Sequence, residues 1–105
     1  MDRRKNLIKQ LKEFKKNLQK KIKINKIFLF GSRVKGKLRK DSDVDLIIVS
    51  DDFNGKNFRN RALGFYEYWD LDYAVDFLCY TNREFNKLRK QISIVSEAEN
   101  NGIEI

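Results

Sequence analysis

The sequence contains no histidine, no proline and a single cysteine, Cys79, among its 105 residues. The absence of histidine excludes Ser-His-Asp and Cys-His catalysis, imidazole acid–base chemistry and His-ligated zinc. One cysteine allows neither an intramolecular disulfide nor a cysteine-cluster metal site, so we expect a reducing, cytoplasmic environment. Any catalysis must therefore rely on carboxylates, hydroxyls, lysine and arginine.

Long apolar runs are also absent. No stretch approaches the roughly 20 apolar residues that a membrane-spanning helix needs, and no apolar segment follows the basic start as it would in a secretory signal. We therefore expect a soluble protein without a membrane segment. The hydrophobic fraction of 41% is sufficient for one buried core, and the length predicts a single domain over residues 1–105.

Positive charge is concentrated in the first part of the sequence. Residues 1–40 hold 16 of the 23 lysines and arginines and two acids, a net charge of +14, whereas residues 41–105 carry −6. This asymmetry suggests an anionic partner on one side and cations on the other. A solvated helix face explains the first lysines equally well. Because no nucleic-acid reader motif is present, we do not expect a nucleic-acid partner.

The spacing of apolar residues predicts an α-β-β-α-β-α order with a polar turn after the first strand. The predicted strands are 26–30, 43–49 and 73–80, with 103–105 as a short edge strand. The predicted helices are 3–22, 57–69 and 82–98. Their inward-facing residues are expected to be Leu7, Leu11, Phe14, Leu18 and Ile22, then Phe58, Ala62, Phe65 and Trp69, and then Phe85, Leu88, Ile92 and Val95.

Local signals refine this pattern. Residues 33–42 are expected to hold only a short helical turn, and Thr81 with Glu84 forms a capping box that opens the last helix. The order of elements predicts an α+β fold, a mixed sheet of three or four strands packed with helices. The strands are too short to settle their directions from the sequence.

A glycine and a serine, Gly31 and Ser32, end the first predicted strand. A glycine lets the backbone approach a ligand closely, and free N–H groups at such a turn bind phosphate. Arg33 and further cations in the same loop suit a polyphosphate. Taken alone, a Gly-Ser pair after a strand is usually an ordinary turn.

Two acids, Asp43 and Asp45, lie two residues apart at the start of the second predicted strand. This spacing directs both side chains to one face, where they repel each other unless a cation lies between them. Magnesium prefers such oxygen ligands and keeps phosphate oxygens in its coordination shell. The alternative is a solvated polar face on an edge strand.

A third acid, Asp76, lies within the apolar third strand and is expected to be buried. A buried carboxylate must be paired, hydrogen-bonded or metal-bound. Three carboxylates can hold two cations about 3.5–4 Å apart, which activate an attacking hydroxyl and stabilise a leaving phosphate. Asp70 and Asp72 compete for this third place by their spacing, although they flank the start of the strand.

Gly31-Ser32, ten further residues and Asp43-Val44-Asp45 together resemble the signature of the polymerase-β-type nucleotidyltransferase superfamily. Within it, GSRVKGKLRKDSDVDLIIV and VDFLCYTNREF are similar to segments of the minimal nucleotidyltransferases. The resemblance implies the nucleotidyltransferase fold. It implies two Mg²⁺ ions bound by Asp43, Asp45 and Asp76, with Asp76 also the catalytic base. It further implies that Gly31, Ser32, Arg33 and Ser42 bind ATP or another nucleoside triphosphate.

The same resemblance implies an activity and a partner. The activity is transfer of a nucleoside monophosphate, AMP, from the triphosphate to a hydroxyl group. The partner is a HEPN-type ribonuclease toxin, modified on a tyrosine, which would make this chain an antitoxin. The alternative function is a non-catalytic antitoxin that blocks its partner by occlusion, through the first helix or Tyr66, Tyr68 or Tyr73. The sequence is compatible with either a monomer or an oligomer.

Overall fold

The computed structural model describes residues 3–30 and 43–105, which form a mixed sheet between two layers of helices. The helices are α1 (Arg3–Leu18), α2 (Asn82–Leu88) and α3 (Ile94–Asn101). The strands are β1 (Lys26–Phe30), β2 (Val44–Val49), β3 (Val75–Tyr80) and β4 (Ile103–Glu104). The predicted α+β fold with a mixed sheet is thus confirmed, and the first predicted strand matches β1 at both ends.

The strand order in the sheet is β3-β2-β1-β4. β1 is antiparallel to both of its neighbours, whereas β2 and β3 are parallel. Two parallel neighbours begin at the same end of a sheet. The residues that open β2 and β3 are therefore brought together at one end, which we call the acidic end because Asp43, Asp45 and Asp76 lie there.

Two apolar cores, one on each face, hold the sheet. The larger core packs one side of α1 against alternate residues of the strands, and its buried members include Leu7, Leu11, Phe14, Leu18, Ile27, Leu29, Val44, Leu46 and Ile48. The smaller core packs α2 and α3 against the other face, through Phe28, Phe30, Ile47, Val49, Phe85, Val95 and Ala98. The apolar stripe predicted for the first helix is buried from Leu7 to Leu18. The helix itself ends at Leu18, earlier than predicted.

The helix predicted over 57–69 is absent. The connection from β2 to β3 instead contains short 3₁₀ helices at Asp51–Phe53, Phe58–Asn60 and Phe65–Tyr68. Gly64 adopts a φ of 86°, a left-handed conformation that interrupts a right-handed helix. Phe58, predicted to face inward, is 46% exposed.

The helix predicted over 82–98 is divided into α2 and α3. The predicted capping box of Thr81 and Glu84 is confirmed at the start of α2. The Ser93 hydroxyl connects the two helices. It donates to the carbonyl oxygen of Leu88, the last residue of α2, and it accepts from the backbone N–H of Ser96 in the first turn of α3. Ile92 lies in the resulting turn and is fully exposed, so its predicted inward position is wrong. Within residues 3–30 and 43–105, no helix combines the length and hydropathy needed to cross a bilayer.

Candidate active site

Asp45 and Asp76 are direct partners across the parallel β2–β3 pair. Paired residues of neighbouring strands direct their side chains to the same face of the sheet. Asp45 shares its face with Ile47 and Val49, which pack under α2 and α3. Two carboxylates from separate strands therefore lie side by side at the acidic end, although 31 positions separate them in the sequence.

Asp43 immediately precedes β2 and is exposed. The pairing of the two strands continues at this point, because the backbone N–H of Val44 donates to the carbonyl oxygen of Ala74 at 2.7 Å. Strand alternation assigns Asp43 and Asp45 to one face. All three acids singled out in the sequence are thus found at one end of the sheet.

The expected burial of Asp76 is wrong, because its side chain is exposed. β3 is an edge strand, so β2 covers it on one side only. Its apolar neighbours face the opposite side of the sheet, where Val75 and Phe77 pack into the α1 core. The cost of burying a carboxylate is therefore no argument for a metal or an ion-pair partner at Asp76. Its position opposite Asp45 is what makes Asp76 a candidate site residue.

The acidic end has the oxygen donors that Mg²⁺ prefers. Asp45 and Asp76 oppose each other, and Asp43 lies two residues before Asp45. The donor chemistry fits such an ion, and the strand register places two of the donors opposite each other. In the part of the chain that the structure describes, however, no group of three histidine, cysteine or acidic side chains is gathered closely enough to hold a metal.

The predicted phosphate-binding residues Gly31, Ser32, Arg33 and Ser42 lie outside the described residues. The residues on either side of this segment are described. Phe30, the last residue of β1, is the register partner of Asp45, and Asp43 leads into β2. The chain thus leaves β1 and enters β2 at the acidic end.

The competing acids, Asp70 and Asp72, lie before β3 begins and outside its pairing with β2. They line a cleft of about 820 Å³ between α1 and residues 68–73. This cleft was not predicted, because its two walls are far apart in the sequence and neither carries a recognisable motif.

Arg61 is a further residue that sequence reasoning missed. It is 9% exposed and forms an ion pair with Glu84 at 2.5 Å. The same guanidinium donates to the carbonyl oxygens of Lys56 and Cys79, at 3.2 and 3.1 Å. Arg61 thereby ties the β2–β3 connection to the end of β3 and to the start of α2. The bond from Arg61 is the main reason that the pKa of Glu84 is lowered.

Comparison with known proteins places this geometry in a family context. A family model described as "Nucleotidyltransferase domain" matches residues 9–103. The chain is 32% identical over 80 residues to "Probable protein adenylyltransferase MntA" of Haemophilus influenzae, covering 74% of this chain and 70% of the relative. It is 27% identical over 101 residues to "Putative protein adenylyltransferase MJ0141" of Methanocaldococcus jannaschii, covering 94% and 98%.

A solved structure shares the fold. The crystal structure of a "putative nucleotidyltransferase" from Sulfolobus solfataricus superposes with a TM-score of 0.65 at 17% identity, covering 94% of this chain and 78% of the other. At that identity, the likeness concerns the fold alone.

Proposed function

The chain belongs to the nucleotidyltransferase domain family, and we propose that it is a protein adenylyltransferase, which transfers AMP from ATP to a hydroxyl group of a partner protein. Two relatives that are named as protein adenylyltransferases support this proposal. The structural observation that carries it is the pairing of Asp45 with Asp76 at the end of the sheet where Asp43 immediately precedes β2.

In the proposed reaction, the acceptor hydroxyl oxygen attacks the α-phosphorus of ATP. A new oxygen–phosphorus bond forms, the bond between the α- and β-phosphates breaks, and pyrophosphate leaves. The hydroxyl proton passes to a carboxylate oxygen of Asp76. Its exposure supports this role, because a base must come within hydrogen-bond reach of an acceptor that arrives from outside.

Asp43, Asp45 and Asp76 are the residues that would hold Mg²⁺. The ions, when bound, neutralise negative charge that develops on the phosphate and make the hydroxyl a better nucleophile. Gly31, Ser32, Arg33 and Ser42 remain our proposed contacts to the triphosphate, on the sequence pattern alone. Their segment connects Phe30 to Asp43, so its two ends start from the acidic end.

We propose that the acceptor of the AMP group is a tyrosine of a HEPN-type ribonuclease toxin. The basis is the resemblance of the motif segments to minimal nucleotidyltransferases, together with the relatives named as protein adenylyltransferases. In this hypothesis, modification silences the toxin, and the chain acts as its antitoxin.

The first test is incubation of the chain with the candidate toxin, Mg²⁺ and ATP labelled on the α-phosphate. We expect label on the toxin, and we expect Asp43→Asn and Asp76→Asn each to reduce labelling by at least about 100-fold. Both acids are exposed, so neither variant should change the melting temperature appreciably.

Glu97→Gln is the matched control, since Glu97 is an exposed acid on α3. It should retain full labelling. Absence of label on the toxin, from a preparation shown to bind ATP, would contradict the proposal. Retained labelling by both aspartate variants would show that the acids are not catalytic.

Inhibition by occlusion is the second candidate. It is favoured by one observation, the lack of a converged three-ligand group within residues 3–30 and 43–105. Toxin inhibition that persists without ATP, and in an Asp43→Asn/Asp45→Asn double variant, would support occlusion over transfer.

A further inference from the structure

The proposed chemistry has no use for the cleft between α1 and residues 68–73. Its volume of about 820 Å³ lies in the range of ligand-binding cavities. One wall is the side of α1 that carries Gln10, Glu13 and Asn17, and the opposite wall includes Asp70 and Asp72.

The charge of this cleft is opposite to that of the molecule. The chain carries a net charge of +8. Among the residues that the structure describes, the lining holds one cation, Lys9, and three carboxylates, those of Glu13, Asp70 and Asp72. A negative cleft repels nucleotides and nucleic acids and attracts cationic groups.

Five polar side chains of the lining are available to a ligand. Within the residues that the structure describes, the side chains of Gln10, Glu13, Asn17, Asp70 and Asp72 make no hydrogen bond or ion pair with one another or with other residues. Amide side chains pair readily with peptide groups, and carboxylates pair with lysine or arginine. The lining therefore suits an extended polypeptide that carries a basic side chain.

The cleft lies close to the acidic end along the chain. Asp72 precedes Asp76 by four residues, so their Cα atoms cannot lie more than about 14 Å apart. The cleft opens on the α1 side of the sheet, whereas Asp76 faces the other side, so a ligand would pass around the start of β3. An extended segment of four or five residues, at about 3.3 Å each, covers this distance.

We propose that this cleft binds a basic segment of the protein acceptor, with a lysine or arginine that lies four or five residues from the hydroxyl to be modified. This inference rests on the proposed function and assigns its recognition site. The basic side chain pairs with Asp70 and Asp72, and the amides of Gln10 and Asn17 hold the peptide backbone.

Trp69 provides a direct signal for binding. It is the single tryptophan of the chain. Its indole N–H donates to the carbonyl oxygen of Tyr73 at 2.7 Å, and its ring contacts Phe14 edge-on with centroids 5.2 Å apart. Both partners line the cleft, so an occupied cleft should change the fluorescence of Trp69.

The test is a fluorescence titration of the full chain, without nucleotide or metal, with a synthetic peptide that carries one tyrosine and an arginine four residues away on each side. The same peptide with glutamate in place of arginine is the control ligand. We expect the arginine peptide to bind and the glutamate peptide to bind at least about tenfold more weakly. An Asp70→Asn/Asp72→Asn variant should lose roughly threefold to tenfold in affinity for the arginine peptide, as expected for two exposed ion pairs.

Glu97→Gln/Glu104→Gln is the matched variant, because it removes the same charge from exposed acids that do not line the cleft. It should bind the arginine peptide like the unmodified chain. Equal binding of the two peptides, or an equal loss in the two double variants, would overturn the proposal. Since the titration needs no catalysis, peptide binding without any AMP transfer would leave the cleft in place and contradict only the proposed function.

Discussion

Arg61 shows how much of the fold depends on one buried charge. Its guanidinium pairs with both carboxylate oxygens of Glu84 and also bonds the carbonyl oxygens of Lys56 and Cys79. Glu84 in turn accepts from the backbone N–H of Thr81 at 2.8 Å and completes the α2 cap. Three separate segments of the chain thus meet at a single side chain.

We predict that Arg61→Met lowers the free energy of unfolding by about 2 kcal/mol, because the Cys79 carbonyl oxygen and the Glu84 carboxylate lose a charged donor. This is below the cost of breaking a fully buried pair, since the Glu84 side chain is 40% exposed. Urea denaturation followed by circular dichroism measures the difference.

Arg59→Met is the control, because Arg59 is exposed and should change stability by less than about 0.5 kcal/mol. Acid titration provides a second readout. The pKa of Glu84 is lowered in the folded state. The ion pair therefore contributes its full stabilisation at pH values above the ordinary pKa of 4.5, and this stabilisation is lost as the pH falls through the lowered pKa of Glu84. Arg61→Met should weaken this acid dependence, and equal losses in the two variants would contradict the assigned role.

At the scale of secondary-structure elements, the β2–β3 connection protects an edge strand. The carbonyl oxygens of Val75 and Cys79 point away from β2, and they meet the Tyr66 hydroxyl at 3.5 Å and the Arg61 guanidinium at 3.1 Å. An unprotected edge strand invites pairing with another chain. Tyr66 lies in the 3₁₀ helix Phe65–Tyr68, and Arg61 directly follows the 3₁₀ helix Phe58–Asn60, so the segment that replaces the predicted long helix covers this edge.

The division of the last predicted helix can be tested with two residues three positions apart. Ile92 is fully exposed in the turn, whereas Val95 is fully buried on α3. We predict that Ile92→Asn changes the free energy of unfolding by less than about 0.5 kcal/mol and that Val95→Ala lowers it by about 1–3 kcal/mol. Thermal or urea unfolding of both variants gives the comparison.

A continuous helix would bury both residues on one stripe. A large loss of stability in Ile92→Asn would therefore contradict the turn and restore the continuous helix. Ser93→Ala offers an independent check, because it removes the cap of α3 and should cost about 1 kcal/mol.

At the scale of the whole molecule, the sheet separates two cores and the two candidate sites. α1 and the larger core cover one face, and α2 with α3 cover the other. Asp76 lies at the start of β3 on one face of the sheet, and the cleft residues Asp72 and Tyr73 precede β3 on the α1 side. A partner protein that engages both must therefore pass around this end of the sheet.

Cys79 reports the integrity of the whole sheet. It is 2% exposed on β3, and burial raises the pKa of its thiol to about 12. We predict that a thiol reagent at pH 8 labels the native protein only as fast as the sheet opens, because neither access nor thiolate is available in the folded state. The labelling rate should rise along the urea unfolding curve, and rapid labelling of the native protein would contradict this burial.

Local signals predicted the elements whose ends are marked in the sequence. β1 coincides with a compact apolar run that ends just before Gly31, and α2 begins at the capping box of Thr81. The two helix predictions that failed, over 57–69 and 82–98, did so for local reasons that the spacing of apolar residues does not indicate. Gly64 adopts a left-handed conformation, and Ser93 caps a new helix, although apolar spacing continues across both positions.

The sequence by itself determined the available chemistry and the α+β class. A chain without histidine and with one cysteine must use oxygen and nitrogen groups, and its apolar periods specify helices and strands. Only the tertiary structure decided that β2 and β3 are parallel with Asp45 opposite Asp76, that Asp76 is exposed, and that Asp70 and Asp72 face α1 across a cleft. The physical reason is that strand register and burial follow from contacts between residues far apart in the chain, which no local pattern specifies.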